Sequence, residues 1–306
     1  MNYYLGIDGG GTKTKVCVID EHENILFIGA SGPTSIDTVD REKTLENIML
    51  ALTNFYTQHE HPYFQAIFAG IGGIVFESDY DEVQNLLRNL NGVDDQTIVI
   101  ARNDMENALY SGLCFDEGMT LICGTGMVAY GKDKFNKFHK SGGWGFKEGD
   151  LGSGYDLGFK ALRHVIKAYD GRLEKNEFSI EVAKMIGLQK PTDFVNIMNE
   201  RYLDRTWIAQ LAPLVTKHAN QGNLYAKKIV DEATDELALS VHSVYNHLSI
   251  EEPTLVIVGS LGNSKGYFME RLNQKIRNID KKIKIIEPVI DPAHAAALMA
   301  KRLRKC

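Results

Sequence analysis

The chain has 306 residues, 44% of them hydrophobic, and a formal net charge of −6. That length allows two domains and a sizeable core, while the mild acidity excludes a general surface for nucleic acid or anionic membrane. Scattered cysteines (Cys17, Cys114, Cys123, Cys306) without zinc or CxxC spacing suit a reducing cytosol, and no apolar run reaches membrane-spanning length.

Taken in chain order, "YYLGI" (3–7) reads as a strand, and "TKTKVCVI" (12–19) turns strongly β-branched and reads as another. Between them lie Asp8 and the glycines Gly9, Gly10 and Gly11. The gap from Gly6 to Gly11 fits a Walker loop, but Lys13 falls one place late, and no helix follows as a dinucleotide fingerprint would require. A strand–turn–strand with bare amides still suits a phosphate, because successive N–H groups form an anion-binding concavity. Thr12 and Thr14 add hydroxyls, and Asp8 suits a metal carried by the phosphates. An ordinary glycine hairpin is the alternative.

A strand extension at 25–29 leads into the turn-rich "GASGPTSID", and apolar residues at helical spacing mark 41–58. "YFQAIFAGIGG" reads as a buried strand, "YDEVQNLLRNL" as an amphipathic helix, and "TIVIA" (97–101) as a short buried strand. Asp104 follows that strand and precedes "MENALYSGL", a helix. Ligand crevices in open α/β sheets lie outside such carboxyl ends, so Asp104 is placed to accept a substrate proton; as a helix N-cap it would need no function. Strands alternating with helices make residues 1–117 one α/β domain.

"MTLICGTGMVAYGKD" (119–133) then repeats strand, glycine turn, strand. The repeat predicts a second, similar α/β domain over 118–306, with a ligand cleft between the two. "KDKFNKFHK" and "DKKIKI" read as solvated charge runs without function. "SGGWGFKEGDLGSGYDLG" (141–158) gathers glycines around Trp144 and Asp150, a pairing that suits the C–H faces and hydroxyls of a carbohydrate. The alternative is a structural loop with Trp144 anchored in the core. Residues 155–250 are mostly helical by pattern, "TLVIVGSLGNS" (254–264) is a strand ending in Gly-Ser, and "AHAAALMAKRL" closes the chain as a helix.

The ordered set "DGGGTKT", "ND", "CGTG", "GGWGFKEGD.GSGYDLG" and "VIVGSLG" resembles the BadF/BadG-type ATPases and N-acetylglucosamine kinases, whose superfamily includes sugar kinases, actin and heat-shock chaperones. The resemblance implies two ribonuclease-H-like (actin-like ATPase) domains closing over ATP and a sugar. It places ATP on Gly10, Gly11, Thr12 and Lys13, on Gly124, Thr125 and Gly126, and on Ala209, Gly259 and Ser260, with Mg²⁺ near Asp8. Asp104 matches the catalytic base, and Asn103, Asp104, Gly143, Trp144, Gly145 and Asp150 match the amino-sugar contacts. Three positions depart from the pattern. Leu151 stands where Glu is frequent, "GPTSID" lacks the expected Asn and offers Ser35 instead, and Ala293-His294-Ala295 replaces a Gly-Ala pair.

The expected activity is therefore ATP-dependent 6-phosphorylation of N-acetylglucosamine and/or N-acetylmuramic acid by a cytoplasmic homodimer, without nucleic-acid or membrane partners. Alternatives are a glucosamine kinase, an ATPase energising an electron-transfer partner through a cysteine-held iron–sulfur cluster, and a non-catalytic sugar sensor.

Overall fold

The computed structural model describes residues 2–146 and 150–304. They form two compact units: Met1–Phe115 together with Pro288–Cys306, and Asp116–Glu287. In the first unit the elements are β1 (Tyr3–Gly9), β2 (Thr14–Ile19), β3 (Ile25–Ser31), α1 (Arg41–Gln58), β4 (Phe64–Ile71), α2 (Glu77–Leu87), β5 (Ile98–Arg102) and α3 (Asp104–Ser111). The second unit holds β6 (Gly118–Cys123), β7 (Met127–Lys132), β8 (Phe138–Gly142), α4 (Gly154–Tyr169), α5 (Glu177–Ile186), α6 (Asp193–Arg201), α7 (Arg205–Ala209), α8 (Ala212–Asn220), α9 (Leu224–His247), β9 (Thr254–Val258), α10 (Tyr267–Ile279) and β10 (Lys284–Ile286). A final helix, α11 (Pro292–Arg302), returns to the first unit. The expected second domain, 118–306, is corrected in this respect: an alanine-rich helix carries no mark in sequence of the sheet it covers.

Each unit is built on a five-stranded sheet, and the two orders correspond: β3-β2-β1-β4-β5 and β10-β9-β6-β7-β8. In both, three strands run as an antiparallel meander and two further strands join in parallel. The repeated strand–glycine-turn–strand is thus repeated topology, with the first turn at β1/β2 and the second at β6/β7. β1 is buried almost throughout because it is central in its sheet, with β2 and β4 as neighbours and α11 packed on it. That packing is close. A Cβ on Gly6 would lie 2.2 Å from the Ala293 carbonyl oxygen and the Ala297 nitrogen, so glycine in β1 and alanine in α11 are complementary.

The second unit's core joins Leu121, Cys123 and Ala129 of the sheet to Leu157, Val165, Val230, Leu237 and Val241 of α4 and α9. β10 takes Lys284 and Ile285 from the "DKKIKI" run and Ile286 just beyond it; three residues beside lysines leave little mark of an edge strand in sequence. No helix of the described residues is long and apolar enough to cross a membrane.

Candidate active site

The first turn closes with Gly10 N–H donating to the Lys13 carbonyl at 3.0 Å, while the Gly10 carbonyl accepts from Thr34 and Ser35 N–H at 3.1 and 3.2 Å. The three glycines have different reasons. A Cβ on Gly9 would meet Thr34 Oγ1 at 2.2 Å, so packing alone demands glycine there. At Gly10 the nearest atom would be 3.5 Å away, and neither Gly10 nor Gly11 has positive φ. A Cβ on Gly11 would crowd Thr38 Oγ1 at 3.1 Å, so it is Gly10 whose bareness neither backbone nor packing explains, and a ligand's approach is the physical reason there. Gly11, Thr12 and Lys13 are exposed, whereas Thr14 is buried and donates to Gly32 O and Thr34 Oγ1 at 2.8 and 2.7 Å, a structural role.

Asp104 is the first residue of α3. The cap is Asn103, whose Oδ1 accepts from Met105 N–H at 3.1 Å and whose Nδ2 donates to the Ile74 carbonyl at 2.7 Å. This separates the two roles weighed for Asp104, and it occupies the Asn103 amide that the resemblance assigned to the sugar. Asp104 and Asp8 keep a solvent-facing edge, with protein around the rest. Burial pushes the Asp104 carboxyl up to about 7, with help from the charges of Asp8 and Asp37. Asp8 is pushed up to about 6, again chiefly by burial, against an opposing hydrogen bond from Asn107. The segment carrying Ser35 and Asp37 is held beside Asp104 through Gly72: Ile36 N–H donates to Gly72 O at 3.0 Å, and a Cβ on Gly72 would lie 2.6 Å from Ser35 Oγ and 3.4 Å from Asp104 Oδ2. The Ser35 hydroxyl donates to Asp37 Oδ1 at 2.5 Å.

Asn107 was missing from the sequence reading. It lies one helical turn after Asp104, fully buried, and its Nδ2 donates to Ile7 O and Asp8 Oδ1 at 2.9 Å each. Its Oδ1 is buried without a partner. The signal was there: a polar residue at i+3 from Asp104 shares its helix face. These oxygens bear on Mg²⁺. No group of three or more His, Cys, Asp or Glu that could hold a metal occurs among the described residues, but Mg²⁺ takes one or two carboxylates and keeps waters. An all-oxygen donor set with repelling, partly desolvated carboxylates and an unpaired amide oxygen fits that ion.

In the second unit the Gly124 carbonyl accepts from Gly154 N–H at 2.7 Å and the Thr125 carbonyl from Tyr155 N–H at 3.1 Å, tying the turn to the start of α4. Gly259, at φ +100°, brings its chain against β6: a Cβ there would lie 2.4 Å from Cys123 O. Gly124, Thr125, Ala209 and Ser260, far apart in sequence and all assigned to ATP by the resemblance, line one pocket of about 270 Å³ together with Ala212, Pro213 and Thr216. Gly126 lies outside that lining.

Of the glycine-rich loop, residues 147–149 fall outside the described residues. Gly143 and Gly145 take φ of +67° and +110°, conformations that require glycine. Trp144 is 66% exposed, with Lys140 Nζ 4.1 Å from its ring centre, so the alternative of a core anchor is corrected. Asp150 is buried, and its Oδ2 accepts from Arg205 Nη2 at 2.8 Å. Burial raises its pKa while the Arg205 charge opposes this. Arg205 had no signal in sequence, being 55 residues away without a motif. Cys17 and Cys123 lie in the cores, where burial pushes each thiol up to about 12, and Cys114 is also buried. Such thiols are poor cluster ligands.

Two ribonuclease-H-like halves of corresponding topology, each presenting a glycine turn, define the class of fold, that of the actin-like ATPases. Residues 5–300 match the BadF/BadG/BcrA/BcrD ATPase family, and the chain belongs to it. An N-acetylmuramic acid/N-acetylglucosamine kinase of Clostridium acetobutylicum is 32% identical, covering 98% of this chain and 99% of that relative. An N-acetyl-D-glucosamine kinase of Dictyostelium discoideum is 26% identical over 99% and 98% of the two chains. A Chromobacterium violaceum structure named as an N-acetylglucosamine kinase shares the fold, with a TM-score of 0.78 at 21% identity over 97% and 98% of the chains.

Proposed function

We propose that this protein phosphorylates the 6-hydroxyl of an N-acetylated amino sugar, N-acetylglucosamine or N-acetylmuramic acid, with Asp104 as general base. The observation that carries the reading is the placement of the Asp104 carboxyl at the start of α3, after β5 and beside Asp8 and the Ser35 segment, with capping left to Asn103; burial raises its pKa to about 7. A general base works best with its pKa near the operating pH. The sugar's 6-oxygen forms a bond to the γ-phosphorus, the bond from that phosphorus to the bridging oxygen of ADP breaks, and the hydroxyl proton passes to Asp104. Phosphoryl transfer of this kind needs positioning and charge neutralisation more than covalent help.

In the pocket they share, Ala209 and Ser260 are assigned to the nucleoside end of ATP, and Gly124 and Thr125, as a second phosphate turn, join Gly10, Gly11, Thr12 and Lys13 at its phosphates. Asp8, oriented by the Asn107 amide, would hold Mg²⁺, which when bound neutralises phosphate charge. Gly143, Trp144, Gly145 and Asp150 are assigned to the sugar, as is the segment at Ser35. The use of ATP suits the cytoplasm, as do scattered cysteines without zinc or CxxC spacing.

A coupled ADP-release assay over glucose, glucosamine, N-acetylglucosamine and N-acetylmuramic acid tests the reading. We expect turnover of both N-acetylated sugars. One added group at the 3-position shifts selectivity by only ~1–3 kcal/mol. A clear preference for glucosamine, or ATP hydrolysis indifferent to every sugar, overturns it.

A further inference from the structure

We propose that Arg205 is a positioning residue for the carboxylate of Asp150, seated in the space that Gly126 leaves by having no side chain. The inference rests on the assignment of Asp150 to the sugar and adds to that site a residue from a distant helix.

Three independent observations converge on Arg205. The first is the pair itself: Nη2 donates to Asp150 Oδ2 at 2.8 Å, the carboxylate side chain being 3% exposed and the guanidinium side chain 38% exposed. Charge-assisted bonds of this kind fix direction as well as energy. The second is Gly126. Its φ is not positive, so its backbone does not ask for glycine. A Cβ there would lie 1.9 Å from Arg205 Nη2 and 2.9 Å from Asp150 Oδ2, so any side chain at this position would push the guanidinium off the carboxylate. The third is the division of labour on the carboxylate. Oδ2 is held by Arg205, while among the described residues Oδ1 receives only a long bond from Met127 N–H at 3.5 Å. Arg205 therefore determines which oxygen keeps the capacity to accept a substrate hydroxyl.

The arginine is itself well placed for this. Asp204 caps α7, its Oδ1 accepting from Trp207 N–H at 2.9 Å, so the backbone at Arg205 is fixed at the first turn. Its Nε is buried without a hydrogen-bond partner among the described residues. The guanidinium is thus oriented by Asp150 and not by satisfying all of its donors, a placement that favours the carboxylate's position over maximal stability.

The test is the split between KM values for sugar and for ATP in the full-length enzyme, with N-acetylglucosamine as acceptor. A bond to a charged group is worth ~1.5–3 kcal/mol. Arg205→Ala should therefore raise the sugar KM by at least about tenfold, with the ATP KM changed by less than about twofold. Asp150→Asn should do the same, and the double variant should be no more than about twofold worse than the worse single one, because the two act as a unit. Arg205→Lys should recover part of the loss, since an ammonium restores charge without the planar fork. If Arg205→Ala does not fold, Arg205→Lys is read by the same split. A sugar KM that stays at the wild-type value, equal rises for sugar and ATP, or additive effects with Asp150→Asn overturn the proposal alone. A wild type without turnover of any amino sugar overturns the amino-sugar reading and this proposal with it.

Discussion

At the start of α3 the proposed base, Asp104, and the helix cap, Asn103, are different residues, which makes the substitution Asp104→Asn cleanly interpretable. Asn103 keeps α3 capped, so the fold should persist while general-base catalysis, typically ~10²–10⁴ in rate, is lost. We expect kcat to fall at least about a hundredfold with ATP still bound, checked by steady-state kinetics and nucleotide titration. The same side chain sets a pH signature. Its carboxyl is raised to about 7 from 3.8, so in this respect the folded state holds the proton more tightly than the unfolded state does. That contribution to stability is fully present below about pH 4 and is lost as pH rises through about 7. Asp104→Asn removes the cost of burying the charge. It should leave the melting temperature near wild type at pH 4 and raise it at pH 8 by at least about 2 °C; a wild-type value at pH 8 would contradict the raised pKa. The glycines divide in a parallel way. Gly10→Ala has room and should melt no lower than wild type while raising the ATP KM, whereas Gly9→Ala should destabilise through Thr34. Unchanged ATP binding in a folded Gly10→Ala would make the turn an ordinary hairpin.

Elements were legible where chemistry and period coincided. The β1/β2 and β6/β7 turns stood out because glycines interrupt β-branched runs, and α3 because a carboxylate follows a buried strand. What sequence hid was proximity. Asn107 resembled any polar helix residue until its amide was found between Ile7 O and Asp8, and Arg205 resembled a surface charge until it was found under Gly126. Ala209 was placed by resemblance alone, since one alanine carries no periodic or chemical signal. In the structure it ends α7 at the wall of the pocket, where a Cβ added to Gly154 would lie 3.7 Å from the Ala209 Cβ. Ala209→Leu adds bulk to a cavity of about 270 Å³ without replacing any core residue. We expect the ATP KM to rise about tenfold or more, the melting temperature to move little, and sugar binding measured without nucleotide to be unchanged. An unaltered ATP KM would move the nucleoside elsewhere.

For the molecule as a whole, the chain leaves the first unit at Phe115 and returns at Pro288. The return is structural, because α11 covers β1, β2 and β4 and contacts α3. Ala293, Ala295, Ala296, Ala297 and Ala300 are all 0–1% exposed, and Gly6 admits the α11 backbone at a distance no other residue allows. A fragment ending at residue 115 would therefore expose a sheet face built for a helix, the central strand included. Nothing in its own 115 residues can replace that helix, since α1, α2 and α3 are already packed in the same unit. The two segments of the unit meet closely, with Val289 and Ile290 N–H donating to the Ser111 carbonyl at 2.8 and 3.0 Å. A short Gly/Ser linker from 115 to 288 should thus close the unit at little entropic cost. We expect residues 1–115 alone to bind a hydrophobic dye and to show a poorly dispersed amide spectrum. The linked 1–115/288–306 chain should instead give dispersed amides and a cooperative melt. Within it, Ala297→Leu should cost ~1–3 kcal/mol by overpacking against Gly6. Cooperative folding of 1–115 by itself, with the same melting temperature as the linked chain, would show that α11 is an accessory to the first unit and not part of its core.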